Sequence, residues 1–280
     1  MKPKHNTPNT NQPKNYQPKN YIVCSTVRSG STLLCKTLEQ LDGGGQPQEY
    51  FHRHTLQRLN LDHNPDGFLR YCHTIFEESL TEHGVFGIKM HWWQLFDFLR
   101  LARQSPRFEH QSDLDILNSL FPDLKFIYLQ RRDIVAQAVS AAIASQTGQW
   151  EKFKHSSSKG TKPVKAKPLK FQPWRIYEWH QALKAHNQSW RDFFIENHLK
   201  HHDIVYEDLV EAFPQEMTSV MDYIGIHDSE RLARIEIPTQ RQFTPTNQRF
   251  INYYTRMPKP LSAMLYQLYR QLRPMQGGFA

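Results

Sequence analysis

The chain has 280 residues, of which 39% are hydrophobic, and this length is enough for one sizeable buried core. Its net charge is +8, but residues 1–20 carry +4 and residues 151–170 carry +6, which leaves −2 for the rest. Because the remainder is nearly neutral, a basic face that binds nucleic acid is not expected on the folded domain.

The cysteines and the apolar runs indicate the compartment. Cys24, Cys35 and Cys72 are odd in number and lack metal-ligand spacing, so neither a disulfide framework nor a zinc site is predicted. The first 20 residues lack the apolar region of a signal peptide, and no run of about 18 apolar residues could span a membrane. We therefore expect a cytoplasmic protein without a membrane span.

Strand and helix patterns alternate along the chain after residues 1–20, a tail rich in Asn, Pro and Lys that is predicted to be disordered. Apolar runs predict strands at 21–24, 85–90, 124–129 and 204–206. A short extended segment at 46–51 and a partly helical region at 52–84 separate the first two strands. Helical periodicity predicts helices at 92–104, 133–146, 174–197, 214–224 and 261–272.

This alternation predicts one α/β domain over residues 21–280, built on a parallel sheet with helices on both faces. The Lys-, Ser- and Pro-rich residues 151–170 are predicted to form a mobile loop. In the helix at 174–197 an apolar stripe indicates core packing rather than a ligand platform. Its members are Ile176, Trp179, Leu183, Trp190 and Phe194. In the last helix, a leucine face is predicted to pack on the domain, formed by Leu261, Leu265, Leu268 and Leu272.

The segment YIVCSTVRSGSTLL at residues 21–34 is typical of a strand, a tight turn and a helix whose N-terminus binds a phosphate. Aligned with the P-loop pattern, Ser25 and Gly30 take the glycine positions and Thr32 the final hydroxyl, but Ser31 replaces the lysine. Kinase chemistry is therefore disfavoured. An ordinary helix cap is the alternative. The residues suited to a smaller anion are Arg28, Ser29, Gly30, Ser31 and Thr32.

A second candidate anion site follows the strand at 124–129. Arg131 lies at the carboxyl end of this strand, and Ser140 lies two turns into the next helix. A guanidinium and a hydroxyl placed in this way can converge on one phosphate, although an Arg–Asp pair that caps the helix is the alternative. Two separate anion sites on one nucleotide fit 3′-phosphoadenosine 5′-phosphosulfate, with its 5′ group at the first turn and its 3′-phosphate at the second.

On these motifs the chain resembles the sulfotransferases, and more closely the bacterial trehalose 2-sulfotransferase-like family. The resemblance covers roughly residues 21–255. It rests on RSGSTLL at 28–34, PQEYF at 47–51, GIK at 87–89, RRDIVAQAVS at 131–140 and RQ at 241–242. It implies a P-loop-like sulfotransferase fold, a homodimer, the donor 3′-phosphoadenosine 5′-phosphosulfate and the product adenosine 3′,5′-bisphosphate. It also adds Arg241 and Gln242 to the nucleotide site.

The resemblance implies that Glu49 is the general base that takes the proton of the acceptor hydroxyl. His91 is the rival, because Lys89-Met90-His91 follows a strand as the Lys-x-His of the wider sulfotransferase class does. Lys89 and Arg28 would meet the charge that develops on the donor, so no metal is expected to be required.

The predicted function is transfer of a sulfuryl group to a hydroxyl of a carbohydrate or glycolipid, with a trehalose-like sugar as the first acceptor to try. Two alternatives stay open at this point. One is a nucleotide-dependent kinase, which the serine at position 31 disfavours. The other is a basic module that binds nucleic acid or anionic lipid through the two Lys-rich segments.

Overall fold

A computed structural model describes residues 19–150, 168–237 and 243–272. Within them, four strands form one parallel sheet, in which the first strand of the chain lies between the second and the third, and the fourth lies at the edge beside the third. This confirms the predicted α/β class. Residue 19 already pairs in the sheet, two residues before the predicted start of the domain, and 206 begins a helix rather than ending a strand. The strands are β1 (Lys19–Ser25), β2 (Val85–His91), β3 (Leu124–Gln130) and β4 (His201–Val205).

The helices that periodicity predicts are present with end shifts of a few residues. Four further helices, at 113–120, 206–211, 229–232 and 245–256, were not predicted because they are short or polar. In chain order the helices are α1 (Ser31–Leu38), α2 (Arg53–Arg58), α3 (Pro65–Ser79), α4 (Trp92–Ala102), α5 (Asp113–Leu120), α6 (Ile134–Thr147), α7 (Pro173–Glu196), α8 (Tyr206–Glu211), α9 (Phe213–Ile224), α10 (Ser229–Leu232), α11 (Pro245–Arg256) and α12 (Lys259–Leu272).

The sheet buries both faces, because side chains of successive residues point to opposite sides of a strand. One face packs with α3, α4, α5 and α7, and its strand residues include Ile22, Cys24, Phe126 and Tyr128. The other face packs with α1 and α9, and its strand residues include Tyr21, Val23, Ile127 and Leu129. Gln48 adds a single parallel bridge to Ile88, which confirms the short extended segment.

The register of β2 against β1 places Gly87 opposite Tyr21 and Lys89 opposite Val23. A Cβ atom on Gly87 would lie 2.5 Å from Cζ of Tyr21, so the tyrosine ring occupies the space that any other residue would need. The ring is itself fixed, since its hydroxyl donates to the carbonyl oxygen of Gly44 at 2.5 Å.

Trp190 of α7 is fully buried and donates its indole N–H to the carbonyl oxygen of Ser25, at 3.0 Å. Its ring stacks on Phe194 at 5.8 Å between centroids and meets Trp92 edge-on at 5.2 Å. The predicted core role of this stripe is confirmed, with Trp179 only partly buried. Through Trp190, α7 holds the carboxyl end of the central strand.

The last helix packs on the domain as predicted, but most of its predicted leucine face does not make the contact. α12 lies against α7 through Tyr266 and Tyr269, whose rings contact Tyr177 and Trp174 at 5.6 and 5.7 Å. Aromatic side chains bury large areas when they pack together, and here the tyrosine side of the helix faces α7. Leu272 is 81% exposed. Leu261 and Leu268 of this leucine face are also exposed, as is the neighbouring Met264, whereas Leu265 is half-buried.

Some predictions fall outside the part of the chain that the structure describes. These are the tail up to residue 18, most of the Lys-rich loop, and the pair Arg241 and Gln242. Among the helices that are described, none has both the length and the apolar character needed to cross a membrane.

Candidate active site

The turn between β1 and α1 lies at the carboxyl edge of the sheet. β2 and β3 lie on opposite sides of β1, so the connections that follow β1 lead first to one side of it and then to the other. Open α/β sheets bind ligands at such a topological switch point. Gly30 caps α1 with a φ of 96°, and Arg28 takes a φ of 61°. The amide of Ser29 donates to the carbonyl oxygen of Thr26 at 3.2 Å. We call residues 26–32 the anion turn.

Tyr206, the first residue of α8, closes one side of the anion turn. A Cβ atom on Gly30 would lie 2.2 Å from Cδ2 of this ring, so only glycine fits there. The guanidinium of Arg131 lies over the other part of the ring, 5.0 Å from its centroid. Tyr206 was not predicted as a site residue. Its signal was its place directly after a strand, at the same edge of the sheet as the anion turn.

The second predicted anion site converges on the first. Arg28 Nε donates to Ser140 Oγ at 2.9 Å, and Arg131 Nη1 donates to the backbone oxygen of Arg28 at 3.4 Å. The other end of the Arg28 guanidinium contacts the carbonyl oxygen of Trp150. Gln137 ties α6 to the turn, since its amide donates to the Val27 carbonyl oxygen at 2.7 Å. The structure therefore brings Arg28, Arg131 and Ser140 together.

The capping alternative for Arg131 is not what the structure shows. Asp133 alone caps α6, accepting from the amide of Ala136 at 2.8 Å. The neighbouring Arg132 forms a two-bond pair with Asp208, at 2.8 and 2.7 Å. Arg131 instead turns towards the anion turn and borders a cavity of 240 Å³. Other residues around this cavity are Asp133, Tyr206, Glu207, Phe243 and Gln248.

Within the described residues, three buried polar atoms at these sites have no hydrogen-bond partner: the acceptor Oε1 of Gln137, and two atoms that can donate, Ser29 Oγ in the anion turn and Nε of Arg131. Arg131 Nε forms an ion pair with Glu207 Oε1 at 3.5 Å, a longer distance than that of a typical hydrogen bond. Buried polar atoms are nearly always hydrogen-bonded, so each such atom requires an explanation. An anion beside each of the two donors would supply the missing acceptor.

Glu49, Lys89 and His91 meet on the other side of the anion turn. Lys89 and His91 are two residues apart in β2 and therefore share one face of the sheet. Lys89 Nζ lies 2.7 Å from Oε1 of Glu49, and His91 Nε2 lies 3.8 Å from the same oxygen. Gln94 at the start of α4 donates to Oε2 of Glu49 at 2.7 Å. Gln94 was not predicted, although its spacing of three from His91 is that of a capping box.

The surroundings of Glu49 hold its pKa at about 2. Burial alone raises the pKa, but attraction to His91 and Lys89 and the hydrogen bonds from Lys89 and Gln94 lower it more. Burial lowers the pKa of His91 to about 4, so this ring is neutral near pH 7. At neutral pH the charge that stabilises the Glu49 carboxylate is therefore that of Lys89.

The low pKa of His91 predicts acid sensitivity. The folded protein keeps this ring neutral until about pH 4, whereas the unfolded chain binds a proton below about pH 6.5, so stability falls between these values. Between pH 7 and pH 5 we expect a loss of about 2 kcal/mol in the free energy of unfolding from His91. Urea denaturation at both pH values should show a smaller loss in His91→Asn, and an equal loss would contradict this assignment.

The candidate metal-binding side chains of the described residues lie away from this site. In the described ranges, one group of three side chains has metal-ligand spacing: Asp42, Glu82 and His83. All three are exposed, and none belongs to the residues assembled around the anion turn.

Residues 20–257 match the family model of the Stf0 sulphotransferases, so the chain belongs to this family. It is a sulfotransferase, and this assignment replaces the kinase and basic-module alternatives.

The chain is 24% identical over 262 residues to trehalose 2-sulfotransferase of Mycolicibacterium smegmatis, covering 84% of this chain and 94% of that protein. With trehalose 2-sulfotransferase of Mycobacterium tuberculosis it shares 27% identity over 233 residues, covering 73% and 83%. Compared with the crystal structure of mouse sulfotransferase SULT7A1 complexed with PAP, this chain has a TM-score of 0.41 and 12% sequence identity, and 90% of each chain is covered.

Proposed function

We propose that the protein transfers the sulfuryl group of 3′-phosphoadenosine 5′-phosphosulfate to a hydroxyl of a carbohydrate. The observation that carries the proposal is the junction at Arg28. Its guanidinium contacts Ser140, and its backbone oxygen accepts from Arg131 beside the unsatisfied Arg131 Nε. The anion turn would hold the 5′ phosphosulfate, and Arg131 with Ser140 would hold the 3′-phosphate. Arg241 and Gln242 remain predicted members of this site.

The donor supplies an activated sulfuryl group, and the residues around it provide position and charge. The amides at the start of α1, Arg28 and Lys89 would stabilise the negative charge that grows on the leaving phosphate. Glu49 would take the proton of the acceptor hydroxyl while the oxygen attacks sulfur. His91 is the second candidate base. Its Nδ1 is hydrogen-bonded to Ser25 Oγ at 3.0 Å, which leaves Nε2 as its reactive nitrogen.

Two trehalose 2-sulfotransferases among the relatives favour trehalose as the first acceptor to assay. The assay would follow release of adenosine 3′,5′-bisphosphate and would identify the sulfated sugar by mass spectrometry. Other glucosides and a trehalose glycolipid would be compared under the same conditions. The cytoplasmic location and the homodimer remain predictions.

Nucleotide selectivity tests the donor site. We expect wild-type protein in EDTA to bind adenosine 3′,5′-bisphosphate more tightly than adenosine 5′-monophosphate, by calorimetry. Arg131→Ala should remove most of this preference, about 2 kcal/mol for one lost charged contact. Arg132→Ala is the matched control, because it deletes the same charge from the next residue and should keep the preference. Equal affinity of the wild type for both nucleotides would overturn the proposal.

A further inference from the structure

Lys89 lies between the two halves of the site. Its side chain is 7% exposed, and its ammonium lies 2.7 Å from Glu49 Oε1. The same nitrogen donates to Thr32 Oγ1 at 3.3 Å. Thr32 is in the first turn of α1, on the anion turn, whereas Glu49 is the proposed base for the acceptor. One ammonium group therefore contacts both the donor side and the acceptor side.

The two described side chains that donate hydrogen bonds to the Glu49 carboxylate, Lys89 and Gln94, differ in freedom of movement. Gln94 is fully buried, and its amide is held at both ends. Its Oε1 accepts from the backbone N–H of His91 at 2.7 Å, and its Nε2 donates to Glu49 Oε2 at 2.7 Å. Lys89 is a point charge on a flexible four-carbon stem. Lys89 can therefore move while Gln94 keeps the carboxylate in place.

No other cation in contact with Glu49 would replace Lys89 at neutral pH, as far as the described residues show. His91 on β2 is neutral there because its pKa is about 4. Cys35 on α1 also interacts with Glu49, and burial raises its pKa to about 12, so it is an uncharged thiol. Lys36 on the same helix pairs with Glu39 at 2.6 Å. The basicity of Glu49 thus depends on where the Lys89 ammonium lies.

We propose that Lys89 exchanges Glu49 for the anionic groups of the nucleotide when the donor binds, so that Glu49 becomes an effective base only in the donor complex. This inference rests on the proposed function. Before donor binding, Lys89 lies against the carboxylate and is one of the groups, with His91 and Gln94, that lower the Glu49 pKa to about 2 against the effect of burial, which makes the carboxylate a weak acceptor of protons. When the ammonium leaves, the Glu49 pKa rises towards its ordinary value. Gln94 keeps the oxygens oriented.

The exchange makes a specific prediction for nucleotide binding. In the free protein the attraction of Glu49 for Lys89 competes with the nucleotide for the same ammonium. Removing the carboxylate charge should release Lys89 and tighten nucleotide binding, and this gain should require Lys89 to be present. A through-space effect of the carboxylate on the nucleotide would not require it.

A double-mutant cycle separates these two outcomes. The dissociation constant of adenosine 3′,5′-bisphosphate would be measured at pH 7 and fixed salt for wild type, Glu49→Gln, Lys89→Met and the double variant. We expect Glu49→Gln to tighten binding about fivefold in the wild-type background and to have no effect in the Lys89→Met background. Lys36→Met is the matched control, since it removes a lysine from α1 and should preserve the fivefold gain.

Equal gains in the wild-type and Lys89→Met backgrounds would overturn the exchange. If the wild type does not bind the bisphosphate at all, the proposed function fails as a whole, and this result is distinct from failure of the exchange. Lys89→Gln provides a second, polar substitution at the same buried position should the methionine variant not fold. The same cycle applies to it, and the same equality would contradict the exchange.

Discussion

Replacing Glu49 with glutamine is expected to lower turnover about 100-fold or more without weakening nucleotide binding. The substitution keeps the shape of the side chain and its oxygen towards Gln94 while removing the proton acceptor. The ion pair with Lys89 at 2.7 Å is lost at the same time, which frees that ammonium for the nucleotide. The measurement is initial-rate kinetics with trehalose or the best glucoside found, together with calorimetric binding of adenosine 3′,5′-bisphosphate.

His91→Asn is the control for this assignment. Asparagine keeps a polar group near Ser25 but cannot act as a base, so a mild effect on turnover is expected if Glu49 takes the proton. If His91→Asn abolishes transfer and Glu49→Gln leaves it nearly unchanged, the histidine is the base. Mild effects of both changes would show that the acceptor loses its proton to another group.

Trp190→Ala is expected to destabilise the protein by about 3–5 kcal/mol, because it removes a fully buried aromatic side chain and leaves a cavity. The loss also removes the hydrogen bond to the carbonyl oxygen of Ser25, at the strand end from which the anion turn begins. We therefore expect nucleotide binding to weaken along with stability. Urea denaturation monitored by circular dichroism would measure the change.

Trp190→Phe separates packing from hydrogen bonding. It keeps most of the ring contacts with Phe194 and Trp92 but leaves the buried Ser25 carbonyl without its donor, at a cost of about 1–3 kcal/mol. If Trp190→Ala lowers the free energy of unfolding no more than the exposed substitution Ile195→Ala does, α7 does not support β1 through Trp190.

The sheet could be predicted because its strands are buried on both faces. Short, mostly apolar runs such as 85–90 and 124–129 indicate buried strands because they are too short for typical helices and helical patterns lie between them. β4 lies at the edge of the sheet beside β3 and begins with two histidines and an aspartate. Because these residues are polar, no apolar run marked the start of this strand, and this start was not predicted. The leucine face of α12 was predicted incorrectly because an apolar stripe does not show which side of a helix contacts its neighbour. In the structure Tyr266 and Tyr269 contact α7.

The site was predictable where chemistry and local order coincide. The anion turn, Arg131 with Ser140, and the Lys89–His91 pair each lie at the carboxyl end of a predicted strand, and parallel strands bring those ends together. Gln94 and Tyr206 were not identified, because their roles depend on distances across the fold. Nothing in the sequence states that the ring of Tyr206 fills the space beside Gly30.

The fit between Gly87 and Tyr21 determines which side chains the site contains. If β2 were displaced by one residue along β1, the lysine and the histidine would face the opposite side of the sheet, and Ile88 and Met90 would take their places. Such a sheet would still bury apolar residues, but the Lys89 ammonium would no longer lie beside the anion turn, and Glu49 would lose its ion pair with Lys89. Gly87 of the GIK motif therefore helps to fix the register of β2 against β1, and this register places the charged side chains Lys89 and His91 at the site.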